Sequence, residues 1–231
     1  EEVLKNINIQ INAGEKIALV GSTGSGKSTL VNLLLLLYDY KEGDVKLDGI
    51  SIKQISKKNL RSNIASVSQD IFLFADSIFN NVTLYNPKIT LDDVKKAALE
   101  IGIDEFIKKL PNGFQYVVNE GGTILSSGQR QLISFLRAYV SNPKILILDE
   151  ATSSIDSFTE ELIQTATEKI IENKTSIIIA HRLTTIKKAD RIIVLDRGEI
   201  VEIGTHSQLI KIQEGYYKKL YEIQFNKEKI T

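Results

Sequence analysis

The stretch Gly21-Ser22-Thr23-Gly24-Ser25-Gly26-Lys27-Ser28 interleaves glycines with small hydroxyl residues and ends in a cation and a hydroxyl. Glycine lets the backbone fold so that successive N–H groups point at one centre, and a helix beginning there adds the positive end of its dipole. That combination suits phosphate: Lys27 can reach the β and γ phosphates of a nucleotide, and the Ser28 hydroxyl is placed to ligate Mg²⁺. Two further groups could act on such a ligand. Asp149-Glu150 follows the apolar run 145–148, and His181 closes the apolar run 175–180. Carboxylates at the end of a buried parallel strand are where a doubly wound sheet puts its ligands. Read alone, the pair could be solvated turn acids and His181 a satisfied core histidine. Beside a phosphate loop, and at the ends of parallel strands, both read as site residues.

These residues need elements to position them. Residues 16–20 are a short apolar run of strand character, and 29–38, opening with Thr29, holds five consecutive leucines suited to a buried helix. Strand, glycine loop and helix form the required context. Upstream, Ile7, Ile9 and Ile11 alternate with polar neighbours across 3–11, the period of a half-buried strand, and Ala13-Gly14-Glu15 turns into the next strand. Residues 44–47 with Asp48-Gly49 read as strand and tight turn, and 64–68 as a strand ending at Gln69. From about 70 the period changes to helical over 77–82, 91–101 and 104–110, with Thr90 and Asp92 at a start and Gly102 at a stop. Residues 130–140 are apolar at Leu132, Ile133, Leu136 and Tyr139, an amphipathic helix. A helix over 156–172, a hairpin of 191–195 and 199–203 around Asp196-Arg197-Gly198, and helices over 205–212 and 216–225 complete the chain.

Composition narrows the function. A chain of 231 residues should bury about 70% of its unfolded surface, so a self-sufficient core is expected. Lys plus Arg and Asp plus Glu are 29 each, which provides no global field for nucleic acid or an anionic membrane. The absence of cysteine excludes disulfides, thiol catalysis and cysteine metal sites. No apolar run is long enough to span a bilayer. The chain opens with Glu and contains no methionine, which suggests a piece of a longer polypeptide.

The ordered set Gly21 to Ser28, Gln69, Leu125-Ser126-Ser127-Gly128-Gln129, 145–150, Ser153-Ser154-Ile155-Asp156 and His181 resembles the nucleotide-binding domain of ATP-binding-cassette (ABC) transporters. The resemblance covers essentially the whole chain. Val67-Ser68-Gln69-Asp70, Leu73-Phe74, 78–82 and Glu120-Gly121-Gly122 are similar to exporter segments. It implies an α/β fold with a P-loop NTPase (RecA-like) core, an antiparallel β flank and an inserted α-helical subdomain. The whole chain would be one domain, with 1–69 and 143–231 as ATP-binding core and about 70–142 as the helical part carrying the signature. It also implies roles. The loop Gly21, Ser22, Thr23, Gly24, Ser25, Gly26, Lys27, Ser28 and Thr29 would hold ATP with Gln69. Ser28, Gln69 and, through water, Asp149 would organise Mg²⁺; Glu150 would be the general base, and His181 would contact the γ-phosphate. Ser126, Ser127, Gly128 and Gln129 would face ATP on a second nucleotide-binding domain, with Asp156 along the dimer seam. The chain would then work on the cytoplasmic side of the cell membrane, attached through an exporter's transmembrane domain, without nucleic acid.

Three positions depart from the family pattern. Ser127 stands where the signature usually has a second glycine, adding bulk beside the partner's phosphate. With Glu150 and His181 both present, this resembles one half of a heterodimeric exporter. Leu132 stands where arginine is common. No aromatic residue precedes Tyr38, so the ring that usually stacks on adenine is expected upstream of Glu1. Other readings stay open: an ATP-dependent dimerisation switch, a non-transport ABC ATPase, or a nucleotide kinase, which needs neither signature nor His181.

Overall fold

Short apolar runs bounded by turn residues become strands here, and amphipathic stretches become helices. The computed structural model describes residues 3–150 and 155–225. The strands are β1 (Lys16–Val20), β2 (Lys46–Leu47), β3 (Ile50–Ser51), β4 (Ile64–Val67), β5 (Ile145–Asp149), β6 (Thr175–Ile179), β7 (Arg191–Asp196) and β8 (Glu199–Gly204). The α-helices are α1 (Lys27–Leu34), α2 (Lys57–Asn63), α3 (Ile78–Thr83), α4 (Leu91–Glu100), α5 (Asp104–Lys108), α6 (Ser127–Val140), α7 (Ser157–Ile170), α8 (Leu183–Lys188), α9 (His206–Leu209) and α10 (Tyr216–Phe225). The main sheet has the order β4-β5-β6-β1-β7-β8, and β2 pairs with β3. The described residues fall into two compact units, one within 1–64, 147–150 and 175–231, the other within 65–146 and 151–174.

In the first unit β1 runs parallel to both β6 and β7, and β7 pairs antiparallel with β8 across a bulge at Val194/Leu195. Ile17, Ala18, Leu19 and Val20 are no more than 4% exposed, as a strand covered on both faces requires. The pairing continues past the strand ends, with Ala180 N donating to Leu19 O at 3.2 Å and Glu150 N to Ile179 O at 3.1 Å. The residues following β1, β5 and β6 therefore emerge side by side.

Two expectations are corrected here. Residues 3–11 contain no strand among the described residues. Their isoleucine alternation is kept as alternating burial, but the backbone is tied by single bonds, Lys5 N to Gly198 O at 2.8 Å and Arg191 Nη2 to Gln10 O at 2.6 Å. A period of two selects faces; it does not supply a neighbouring ladder. The loop helix also starts earlier and ends sooner than expected. Leu36 takes a left-handed φ of 51°, and Leu37 N bonds Asn32 O while Leu36 N bonds Leu33 O, a Schellman-type stop. Only Lys27 and Val31 of α1 are buried, and Leu37 is 60% exposed, so the leucine run is not a buried helix.

In the second unit α6 packs against α3, α4 and α7, with Leu132, Ile133, Phe135 and Leu136 at 2% exposure or less. It begins at Ser127 rather than Arg130 because Ser126 and Gln129 form a reciprocal capping box. The expected helix over 205–212 shortens to α9.

Candidate active site

The loop after β1 needs glycine for two reasons, backbone conformation at Gly24 and Gly26 and close packing at Gly21. Gly24 and Gly26 have φ of 81° and 105°, a region L side chains rarely adopt. A Cβ on Gly21 would lie 2.3 Å from Leu195 O and 2.6 Å from Ser25 Oγ. Lys27 is buried, and its Nζ donates to Gly21 O at 2.7 Å and Ser22 O at 2.9 Å. Burial pushes its ammonium pKa down, opposed by the negative charge of Asp149. Ser22, Thr23, Gly24 and Ser28 are exposed and Thr29 half-buried. Gly26 caps α1 without a side-chain hydrogen bond among the described residues. The first amides of the helix, on Lys27, Ser28 and Thr29, have no intrahelical acceptor, as at any helix start. A buried cation beside these donors is the complement of a phosphate chain.

Asp149 ends β5, and Glu150 follows it at 6% exposure. Glu150 Oε2 accepts from the backbone N–H of His181 and of Arg182, both at 3.0 Å, and Oε1 accepts from Thr185 Oγ1 at 2.5 Å. His181 is half-buried. Burial, then the Lys27 charge, pushes its imidazole pKa down, with Glu150 opposing. It is therefore neutral at pH 7 and able to donate one hydrogen bond without adding a second cation. The couplings of Lys27 to Asp149, of Lys27 to His181 and of His181 to Glu150 gather these four residues into one cluster beside the glycine loop.

The other expected site residues lie in the second unit. Gln69 is exposed. Ser126 is also exposed; it accepts from Gln129 N at 3.2 Å while its own N donates to Gln129 Oε1 at 3.0 Å. Gly128 is buried, and a Cβ there would meet Thr159 Cγ2 at 2.5 Å and Ile155 Cγ2 at 3.0 Å. This glycine permits the approach of α6 and α7. Exposed Asp156 caps α7, accepting from Thr159 N at 2.9 Å. Ser153 and Ser154 lie outside the described residues.

Sequence reasoning missed two side-chain contacts near this site. Thr185, in the first turn of α8, lies four residues beyond His181 and bonds Glu150. Tyr216 Oη, on α10, donates to Asp196 Oδ1 at 2.6 Å. No local pattern marks that link, because it joins residues distant in the chain.

A sequence model of the family described as "ABC transporter" matches residues 4–153. The chain belongs to the ABC transporter family. Relatives within it include the "Probable multidrug resistance ABC transporter ATP-binding/permease protein YheH" of Bacillus subtilis (strain 168), 50% identical over 97% of this chain and 33% of that protein. Another is an "ATP-dependent lipid A-core flippase" of Desulfotalea psychrophila, 45% identical over 97% of this chain and 39% of that protein. A solved bacterial Atm1-family ABC exporter with ATP bound superposes with a TM-score of 0.89 at 37% identity, covering 97% of this chain and 39% of that one. The chain thus spans between a third and two fifths of the length of these relatives, and its fold is that of an ABC exporter's nucleotide-binding domain.

Proposed function

We propose that this ABC domain binds and hydrolyses ATP as the motor of an exporter, pairing head-to-tail with a second nucleotide-binding domain around two ATP molecules. The observation carrying the proposal is that buried Glu150, following β5, accepts from the backbone N–H of His181 after β6, the strand beside β1, whose glycine loop holds buried Lys27 and opens onto a helix start without a side-chain cap. Phosphoryl transfer to water asks for charge neutralisation, positioning and one base. Here the amides of residues 24–29 and Lys27 would bind the phosphates, and Glu150 would take the proton of the attacking water. His181 would donate to the γ-phosphate.

The Ser28 hydroxyl, Asp149 carboxylate and Gln69 amide are hard oxygen donors that suit Mg²⁺. Among the described residues no group of three or more His, Asp or Glu could hold a metal unaided, so these donors would share the ion with phosphate oxygens and water. When bound, it would neutralise charge on the β and γ phosphates. The coupled membrane part is proposed from the relatives, which are permease and flippase proteins longer than this chain. No helix among the described residues is long and apolar enough to cross a membrane. Attachment at the cytoplasmic face through a transmembrane domain is part of the proposal and rests on those relatives.

The deciding experiment is Glu150→Gln with paired measurements of nucleotide binding and phosphate release. ATP affinity is expected to hold within about twofold while turnover falls about 10²- to 10⁴-fold. Near-normal turnover would remove Glu150 as the base and favour another water-activating group.

A further inference from the structure

The three hydrogen bonds on Glu150 are not equivalent. Both backbone donors, from His181 and Arg182, land on Oε2, while among the described residues Oε1 receives only the Thr185 hydroxyl. An ionised carboxylate has about four acceptor positions, two on each oxygen. Oε2 is thereby filled, and one position remains on Oε1. Two bonds to a single oxygen fix a point but leave the carboxylate free to swing about it. A bond to the second oxygen fixes its plane.

We infer that Thr185 is a positioning residue for the hydrolytic water: its hydroxyl fixes the Glu150 carboxylate plane and leaves the remaining Oε1 acceptor position for the water's proton. The inference rests on the reading of Glu150 as general base. In the step itself the water O–H bond breaks, the proton passes to Oε1, and the water oxygen forms the new bond to phosphorus as the bond to ADP breaks. Thr185 keeps its own proton throughout, donated to the same oxygen. The residue touches neither nucleotide nor metal in this scheme. Valine at 185 keeps the shape but cannot donate, so Oε1 loses its orienting partner in a site where Glu150 is 6% exposed. Serine keeps the donor and drops a methyl.

The test is steady-state ATP hydrolysis by the full chain at protein concentrations where the wild-type rate is measurable, comparing Thr185→Val, Thr185→Ser and Glu150→Gln. Thr185→Val is expected to lower kcat about tenfold with KM for ATP within about twofold, because the phosphates are held by the glycine loop and not by Thr185. Thr185→Ser is expected to recover kcat to within about twofold of wild type, since it restores the donor. An unchanged or raised kcat in Thr185→Val, or a Thr185→Ser as slow as valine, overturns the inference even with Glu150→Gln inactive. A kcat and KM that worsen together, with a lowered melting temperature, also overturn it in favour of a structural role. Should Thr185→Val fail to fold, Thr185→Ser and Thr185→Ala decide between the same outcomes. Wild-type turnover in Glu150→Gln, by contrast, overturns the underlying assignment of the base.

Discussion

The two halves of the candidate machinery are built in opposite ways. In the first unit, the side chains meant for ATP close on one another: Lys27 is tied to carbonyls of its own loop, and Glu150 to three donors after β6. In the second unit, Ser126 and Gln129 cap each other reciprocally, and Ser126 stands exposed. One region is held in place by its own hydrogen bonds around the proposed phosphate site. The other is a stiff, self-capped helix start that presents a surface. The difference teaches that binding and hydrolysis should be separable, with affinity residing in the first unit and turnover needing the second unit's surface on a neighbouring domain.

Three substitutions would sharpen or break that division. Lys27→Ala removes the buried cation of the first unit and should lower ATP affinity about 100-fold or more, as calorimetry can read directly. Tight binding retained in that variant would contradict the assignment of the loop. Gly128→Ala places a methyl group against Thr159 and Ile155, and overpacking of this kind costs about 1–3 kcal/mol. It should lower the melting temperature and abolish most turnover, yet leave the ATP affinity of the first unit within about twofold. A matching loss of ATP affinity would show the two units to be energetically coupled. Ser127→Gly is the mildest change. By removing side-chain bulk beside the proposed partner phosphate, it should raise the concentration-dependent ATPase rate about two- to fivefold. No change in rate would remove Ser127 as the reason for a distinct partner chain.

Much of this was legible locally. The residues 21–28 carry their own geometry, since glycines at 24 and 26 meet positive φ, while the helix after them starts at Lys27, earlier than the expected 29. Runs such as 145–148 and 177–180 are apolar throughout, which announces strands buried on both faces, and each is followed by a polar residue. Other features were illegible for identifiable reasons. The alternation in 3–11 reports which side chains are half-buried, but a ladder depends on a neighbour outside the pattern. The leucine run 33–37 looks like a core helix, yet the chain stops the helix at Leu34 with a left-handed residue at Leu36.

The sequence by itself determined the phosphate loop, the acids at the end of β5 and the histidine after β6. Each depends on residues close together in the chain, where spacing translates directly into geometry. Only the tertiary structure decided that Glu150, His181 and Thr185 share one hydrogen-bonded group, that Tyr216 reaches Asp196, and that Gly128 is required by α7. Those relations come from parallel strands placed side by side and helices packed against one another, and their partners lie about 20 to 35 residues apart in a chain whose local periodicity carries no record of that pairing.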